Sequence, residues 1–151
     1  MYFNSTAFYI FVKSLGPLHK IVVHKKMRLL ELFEDEKLVF RCTIQLGLNP
    51  IGHKSKQGDG KTPEGNYTLF AKNDKSKFYK NVGVSYPEPK DLGEDDPGDN
   101  IKIHALPNDK KLGLKFYSNF DWTEGCIAIA RQFMDILFEQ CEIGTEIIIN
   151  K

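Results

Sequence analysis

Lys37-Leu38-Val39-Phe40-Arg41-Cys42-Thr43-Ile44-Gln45-Leu46 alternates apolar and mostly polar residues over ten positions, placing Leu38, Phe40, Cys42, Ile44 and Leu46 on one side. Successive side chains of a strand point to opposite faces, so this stretch predicts a β-strand with one buried face. Working outward, Lys20–Lys25 and Arg28–Phe33 are rich in β-branched and large apolar residues, and Glu34-Asp35-Glu36 forms a polar turn into the quoted strand. Asn66–Ala71, Asn100–Leu106 and Glu146–Asn150 read as further strands, each bounded by Gly, Pro, Asn or Asp. A helical period occurs over Ala130–Cys141, where Phe133, Leu137 and Cys141 are spaced at i, i+4 and i+8, with Gly144 beyond as a stop signal. Many strands with one main α-helix near the C-terminus predict a mainly β fold, an antiparallel β-sandwich or barrel-like body.

The chain has 151 residues and ordinary globular usage, 41% hydrophobic and 27% charged, which suits a single domain. Lys and Arg number 21 against 20 Asp and Glu, a net charge of +1, so no global field favours nucleic acid or an anionic membrane as a partner. The N-terminal apolar run Ala7–Val12 is too short for a bilayer span, so no integral membrane span is expected. Residues 1–18 read as an N-terminal segment, either an ordinary element or the remnant of an export signal, and 19–151 as the folded body.

Two stretches, Asn49–Gly65 and Ser85–Asn100, break the strand rhythm as long loops. The second carries Glu88, Asp91, Glu94, Asp95, Asp96 and Asp99, and reads as a solvated loop or lid over 88–99, with cation binding as the alternative. Gly60-Lys61-Thr62 imitates the end of a phosphate-binding loop, but Ser55 stands where its first glycine belongs and Pro63 follows. There is no C-x-x-C, H-E-x-x-H or G-x-S-x-G, and His19 and His24 face opposite sides of a strand, so no metal site is expected.

The three cysteines differ in setting. Cys42 lies on the apolar face of the quoted strand and Cys141 on that of the helix, both reading as buried small hydrophobes. Cys126 follows Asp121-Trp122-Thr123-Glu124-Gly125, a polar stretch whose glycine allows a tight turn that presents the thiol. A nucleophilic cysteine needs a base and amide donors for the oxyanion. His104 is the candidate base, on the opposite side of its strand from Ile101, Ile103 and Ala105.

The run Ile103-His104-Ala105-Leu106-Pro107-Asn108, then Asp121-Trp122-Thr123-Glu124-Gly125-Cys126-Ile127-Ala128, resembles the signature of the L,D-transpeptidase (YkuD-type) catalytic domain family: a histidine, a spacer, Ser or Thr, one variable residue, Gly and Cys. Leu46–Gly52, Gly58–Tyr67 and Ser85-Tyr86-Pro87 are similar to the family's upstream stretches, so the resemblance covers Lys20–Lys151. It implies that residues 19–151 form an L,D-transpeptidase-like catalytic domain that needs no cofactor and acts on peptidoglycan stem peptides in the cell envelope or periplasm. By the same resemblance Cys126 is the nucleophile and His104 the base, oriented by the Ala105 carbonyl. The amides of Cys126 and of Gly125 or Glu124 would hold the oxyanion, with Thr123 and Trp122 shaping the pocket. The variable position is commonly His, and the second after the cysteine Asn or Arg; Glu124 and Ala128 stand there, a version that resembles the YafK-like subgroup. Three outcomes follow from the same fold: a transpeptidase in cell-wall cross-linking, an L,D-endopeptidase, carboxypeptidase or amidase, or a non-catalytic peptidoglycan-binding module.

Overall fold

A computed structural model describes residues 10–11, 13–107 and 117–151. Asn108, the spacer over 109–116, and residues 1–9 and 12 of the N-terminal segment lie outside the described residues. Eight strands, β1 (Leu18–His24), β2 (Leu29–Glu34), β3 (Lys37–Thr43), β4 (Gly65–Ser76), β5 (Tyr79–Val84), β6 (Lys102–Ala105), β7 (Ile127–Ile129) and β8 (Cys141–Asn150), form one sheet in the order β3-β2-β1-β8-β4-β5-β6-β7. One α-helix, α1 (Arg131–Gln140), joins β7 to β8. The fold is mainly β and barrel-like, as the alternation implied; β1 with β8 and β6 with β7 pair in parallel, and the other pairings are antiparallel.

The sheet nearly closes on itself. Past β3 the chain keeps its extended course, and the amide of Gln45 donates to Ala128 O while that of Ala128 donates to Gln45 O, both at 2.9 Å. Thr123 and Leu46 continue the seam, through Thr123 N to Leu46 O at 3.1 Å and Leu48 N to Thr123 O at 2.9 Å. The two ends of the sheet thereby satisfy some of each other's backbone groups, which shortens the open edges. The closure explains why the alternation extends to Leu46: Ile44 and Leu46 are buried within the seam, whereas Leu38, at the start of β3, is exposed. β5 and β7 carry weak sequence signals, since β7 spans three residues and β5 begins on the left-handed Tyr79.

The helical stretch runs from Arg131 to Gln140, with Met134, Ile136 and Leu137 buried against the sheet. Cys141 is already extended (φ −97°, ψ 132°) and opens β8, so it is a buried strand residue rather than part of the helix's apolar face. Gly144 is not a helix stop. It lies within β8 at φ +94°, where the ladder with β1 jumps from Leu18–Cys141 to Lys20–Glu146. The extra residues bulge out, and glycine meets the positive φ that the bulge requires. In the N-terminal segment, Phe11 and Leu15 pack against the core.

Cys42 is buried among core residues, and burial pushes its thiol up to about 12. Cys42→Ala is expected to cost about 1–2 kcal/mol, read from a urea midpoint, with no change in turnover.

Candidate active site

Asp121 sets the turn that precedes Cys126. Its Oδ1 accepts the Leu46 amide at 2.8 Å, and the Arg28 guanidinium grips both carboxylate oxygens, Nη2 to Oδ2 at 2.7 Å and Nε to Oδ1 at 3.1 Å. The Thr123 hydroxyl then accepts the Gly125 amide at 3.1 Å and donates to Cys126 O at 2.7 Å. Gly125 has φ +142°, and a Cβ there would stand 2.6 Å from the Lys61 carbonyl oxygen. Gly47 is equally confined, since its Cβ would fall 2.1 Å from Gly60 O and 3.1 Å from the Gly125 Cα. Glycines at 47 and 125 let three backbone segments meet at van der Waals distance behind the thiol.

The imitation phosphate loop belongs to this wall. Asp59 accepts the amides of Ser55, Lys56 and Lys61 at 3.0 Å, and Thr62, fully buried, accepts the Gly47 amide through Oγ1 at 3.3 Å. The amides that would cradle a phosphate already hold the Asp59 carboxylate; burial alone would raise it, but those amides and Lys54 together keep it down at about 2. The long loops brace each other: Tyr86 Oη shares its one proton between Lys54 O and Pro97 O, at 3.1 and 3.0 Å, and the Gln57 amide donates to Asp96 O at 2.8 Å. In the acidic segment Asp91 accepts from Tyr67 Oη at 2.9 Å, and Glu88 accepts from the Ser85 hydroxyl at 2.6 Å. No cluster of three or more potential metal ligands occurs among the described residues.

Cys126 and His104 line one cavity of about 560 Å³, together with Trp122, Thr123 and Glu124. Parallel pairing explains the meeting: Ile103 stands opposite Ile127 and His104 opposite Ala128, so residues 22 apart in sequence come to neighbouring strands. The Cys126 thiol is half-buried, donates to Asn100 O at 3.6 Å and accepts the Lys102 amide at 3.4 Å. His104 Nδ1 sits 2.8 Å from Ala105 O. That carbonyl can only accept, so Nδ1 carries the proton and Nε2 is the free base. The ring is clamped by Phe78, stacked at 4.4 Å and 21°, and by the edge of Trp122 at 5.5 Å and 61°.

Phe78 lies at the β4–β5 turn, and no local pattern ties it to a histidine in another hairpin. Asp121 stands within the motif and Lys102 two residues before His104, but no sequence pattern gives their contacts.

Burial raises the Cys126 thiol above its ordinary value and lowers His104 to about 4, against a smaller raising effect of the Ala105 carbonyl. At neutral pH the resting pair is therefore thiol and neutral imidazole, and the proton must move during attack. Because the folded pKa of His104 lies below its unfolded value near 6.5, its stability contribution is complete above that pH and is lost as pH falls toward 4. Urea unfolding is expected to show a loss from this group of about 3 kcal/mol between pH 7 and 4. His104→Gln should shrink that loss; an undiminished acid sensitivity would assign it elsewhere.

The family model of the L,D-transpeptidase catalytic domain, YkuD, matches residues 19–149. Among solved structures, the helical cell shape determining protein Pgp2 of Campylobacter jejuni superposes with a TM-score of 0.67 at 22% identity, over 94% of this chain and 54% of that one. Bdellovibrio bacteriovorus Bd1075 gives 0.64 at 23% identity, over 91% and 49%. An L,D-transpeptidase from Mycobacterium smegmatis gives 0.60 at 13%, over 89% and 59%. The chain thus spans about half the length of these neighbours, with which it shares the fold. No curated protein sequence matches it. A family match over residues 19–149 takes in most of the chain, and the protein accordingly belongs to the L,D-transpeptidase catalytic domain family, a family of enzymes.

Proposed function

We propose that residues 19–151 form a cysteine acyl transferase of peptidoglycan stem peptides, working in the cell envelope. The observation that carries this reading is His104, whose Nδ1 is held by Ala105 O at 2.8 Å while its ring faces the cavity that contains the Cys126 thiol. Nε2 takes the thiol proton as Sγ attacks the carbonyl carbon that follows the diamino acid. The amide of Cys126 with that of Glu124 would hold the oxyanion, because the Gly125 amide is directed to Thr123 Oγ1. Collapse of the tetrahedral intermediate returns the proton to the leaving amine, frees the terminal D-residue and leaves a thioester on Cys126. An acceptor amine resolves the thioester into a cross-link; water resolves it into a trimmed peptide. Either outcome remodels the wall, in keeping with a structural neighbour described as cell shape determining.

The test is intact-protein mass after incubation with a diaminopimelate-containing tetrapeptide, with and without excess acceptor peptide, beside Cys126→Ala. A thioester adduct that passes to the acceptor establishes transpeptidation, and loss of D-alanine without transfer establishes the carboxypeptidase. Neither adduct nor product, with the fold intact, would leave a binding module.

A further inference from the structure

Two of the lysines that line the catalytic cavity form no ion pair among the described residues. Three lysines line it: Lys54, Lys77 and Lys102. Lys54 is committed, its ammonium donating to Asp59 Oδ1 at 2.9 Å and to Lys56 O at 3.1 Å. Neither Lys77 nor Lys102 forms an ion pair among the described residues, and the ammonium of Lys77 meets only its neighbour's ring, 5.1 Å from the Phe78 centroid. The cavity's carboxylates, Asp99 and Glu124, make no ion pair either. Lys102 is two residues before His104 on β6, so both side chains leave the same face, and its amide touches the thiol. Lys77 sits at the β4–β5 turn beside Phe78, which stacks on His104.

We propose that Lys102, assisted by Lys77, binds a free carboxylate of the acyl-donor peptide beside Cys126. Asp99 and Glu124 match the two ammonium charges in number without pairing with them, so each ammonium still gains from an anionic group that enters with the substrate. Their fields already act on the reacting pair, Lys102 favouring the thiolate and both lysines disfavouring the imidazolium. The inference rests on the acyl-transfer reading above. Two carboxylates of a stem peptide have the required chemistry: the C-terminal one on the leaving residue and the side-chain one on the diamino acid.

The first measurement needs no peptide. Alkylation of Cys126 is followed by intact mass with iodoacetate and with neutral iodoacetamide, in the wild type, K102M, K77M and the double variant. A change in thiol reactivity alters both rates alike, so their ratio reports carboxylate attraction alone. The iodoacetate-to-iodoacetamide ratio is expected to fall about threefold or more in the double variant at low salt, and less at high salt. The second measurement uses tetrapeptides amidated at one carboxylate or the other. K102M should raise KM about tenfold on the free peptide, a larger change than in kcat, and amidation of the bound carboxylate should raise the wild-type KM similarly. The position whose amidation has that effect names the source. An unchanged alkylation ratio, or amidation at neither position mattering to an active wild type, overturns the assignment. A wild type that turns over no peptide overturns the acyl-transfer reading instead, and the alkylation ratio still decides this one.

Discussion

Cys126→Ala is expected to abolish thioester formation and lower turnover by more than about 10⁴-fold, because no other group can accept the acyl chain. Cys42 and Cys141 are buried in the core, well away from solvent, and burial holds both thiols up at about 12. The substitution removes a half-buried sulfur whose protein contacts are the Lys102 amide and the Asn100 carbonyl, so the urea midpoint should move little. His104→Ala should behave differently. The nucleophile stays, its proton loses an acceptor, and a residual rate about 10²–10⁴-fold below wild type is expected. Since His104 is neutral down to about pH 4, the acid limb of kcat/KM in the wild type should fall well below the ordinary histidine range. Full turnover in Cys126→Ala would remove Cys126 from the mechanism, and an acid limb near pH 6.5 would show that the imidazole is not buried during catalysis.

Gly125→Ala carries the second large effect, and it works through backbone. The residue holds φ +142°, and an added Cβ would stand 2.6 Å from the Lys61 carbonyl oxygen and 3.2 Å from Ile101 Cδ1. Neither the Lys61 backbone nor the turn can yield alone, because Asp59 fixes the Lys61 amide and Thr123 Oγ1 fixes the Gly125 amide. We expect a loss of about 2–4 kcal/mol in urea unfolding and at least a ~100-fold fall in turnover, since a displacement of an ångström at the thiol is enough to spoil attack. Gly144→Ala is the matching control. It shares a positive φ, +94°, but its Cβ would meet open space, so it should cost about 1 kcal/mol and leave turnover alone. Equal losses of activity in the two variants would refute the close approach at Gly125 as the cause.

The sequence by itself determined the strand alternation of Lys37–Leu46, a helical period over Ala130–Cys141, the burial of Cys42 and Cys141, and the motif that singles out Cys126 and His104. These are local matters: period, propensity and the company a residue keeps within a few positions fix them. It misplaced Gly144 because a glycine after a helical run looks the same whether it ends the helix or serves a bulge in the next strand. Only the tertiary structure decided that Gln45 and Ala128 close the sheet, that Arg28 and Asp121 brace the turn before Cys126 from 93 residues apart, and that Phe78 stacks on His104. It also decided that Lys102 and Lys77 line the thiol's cavity with no ion pair among the described residues while Lys54 is spent on Asp59. Each of these depends on strand order and register between distant segments, and a one-residue slip in register would turn every such side chain to the opposite face.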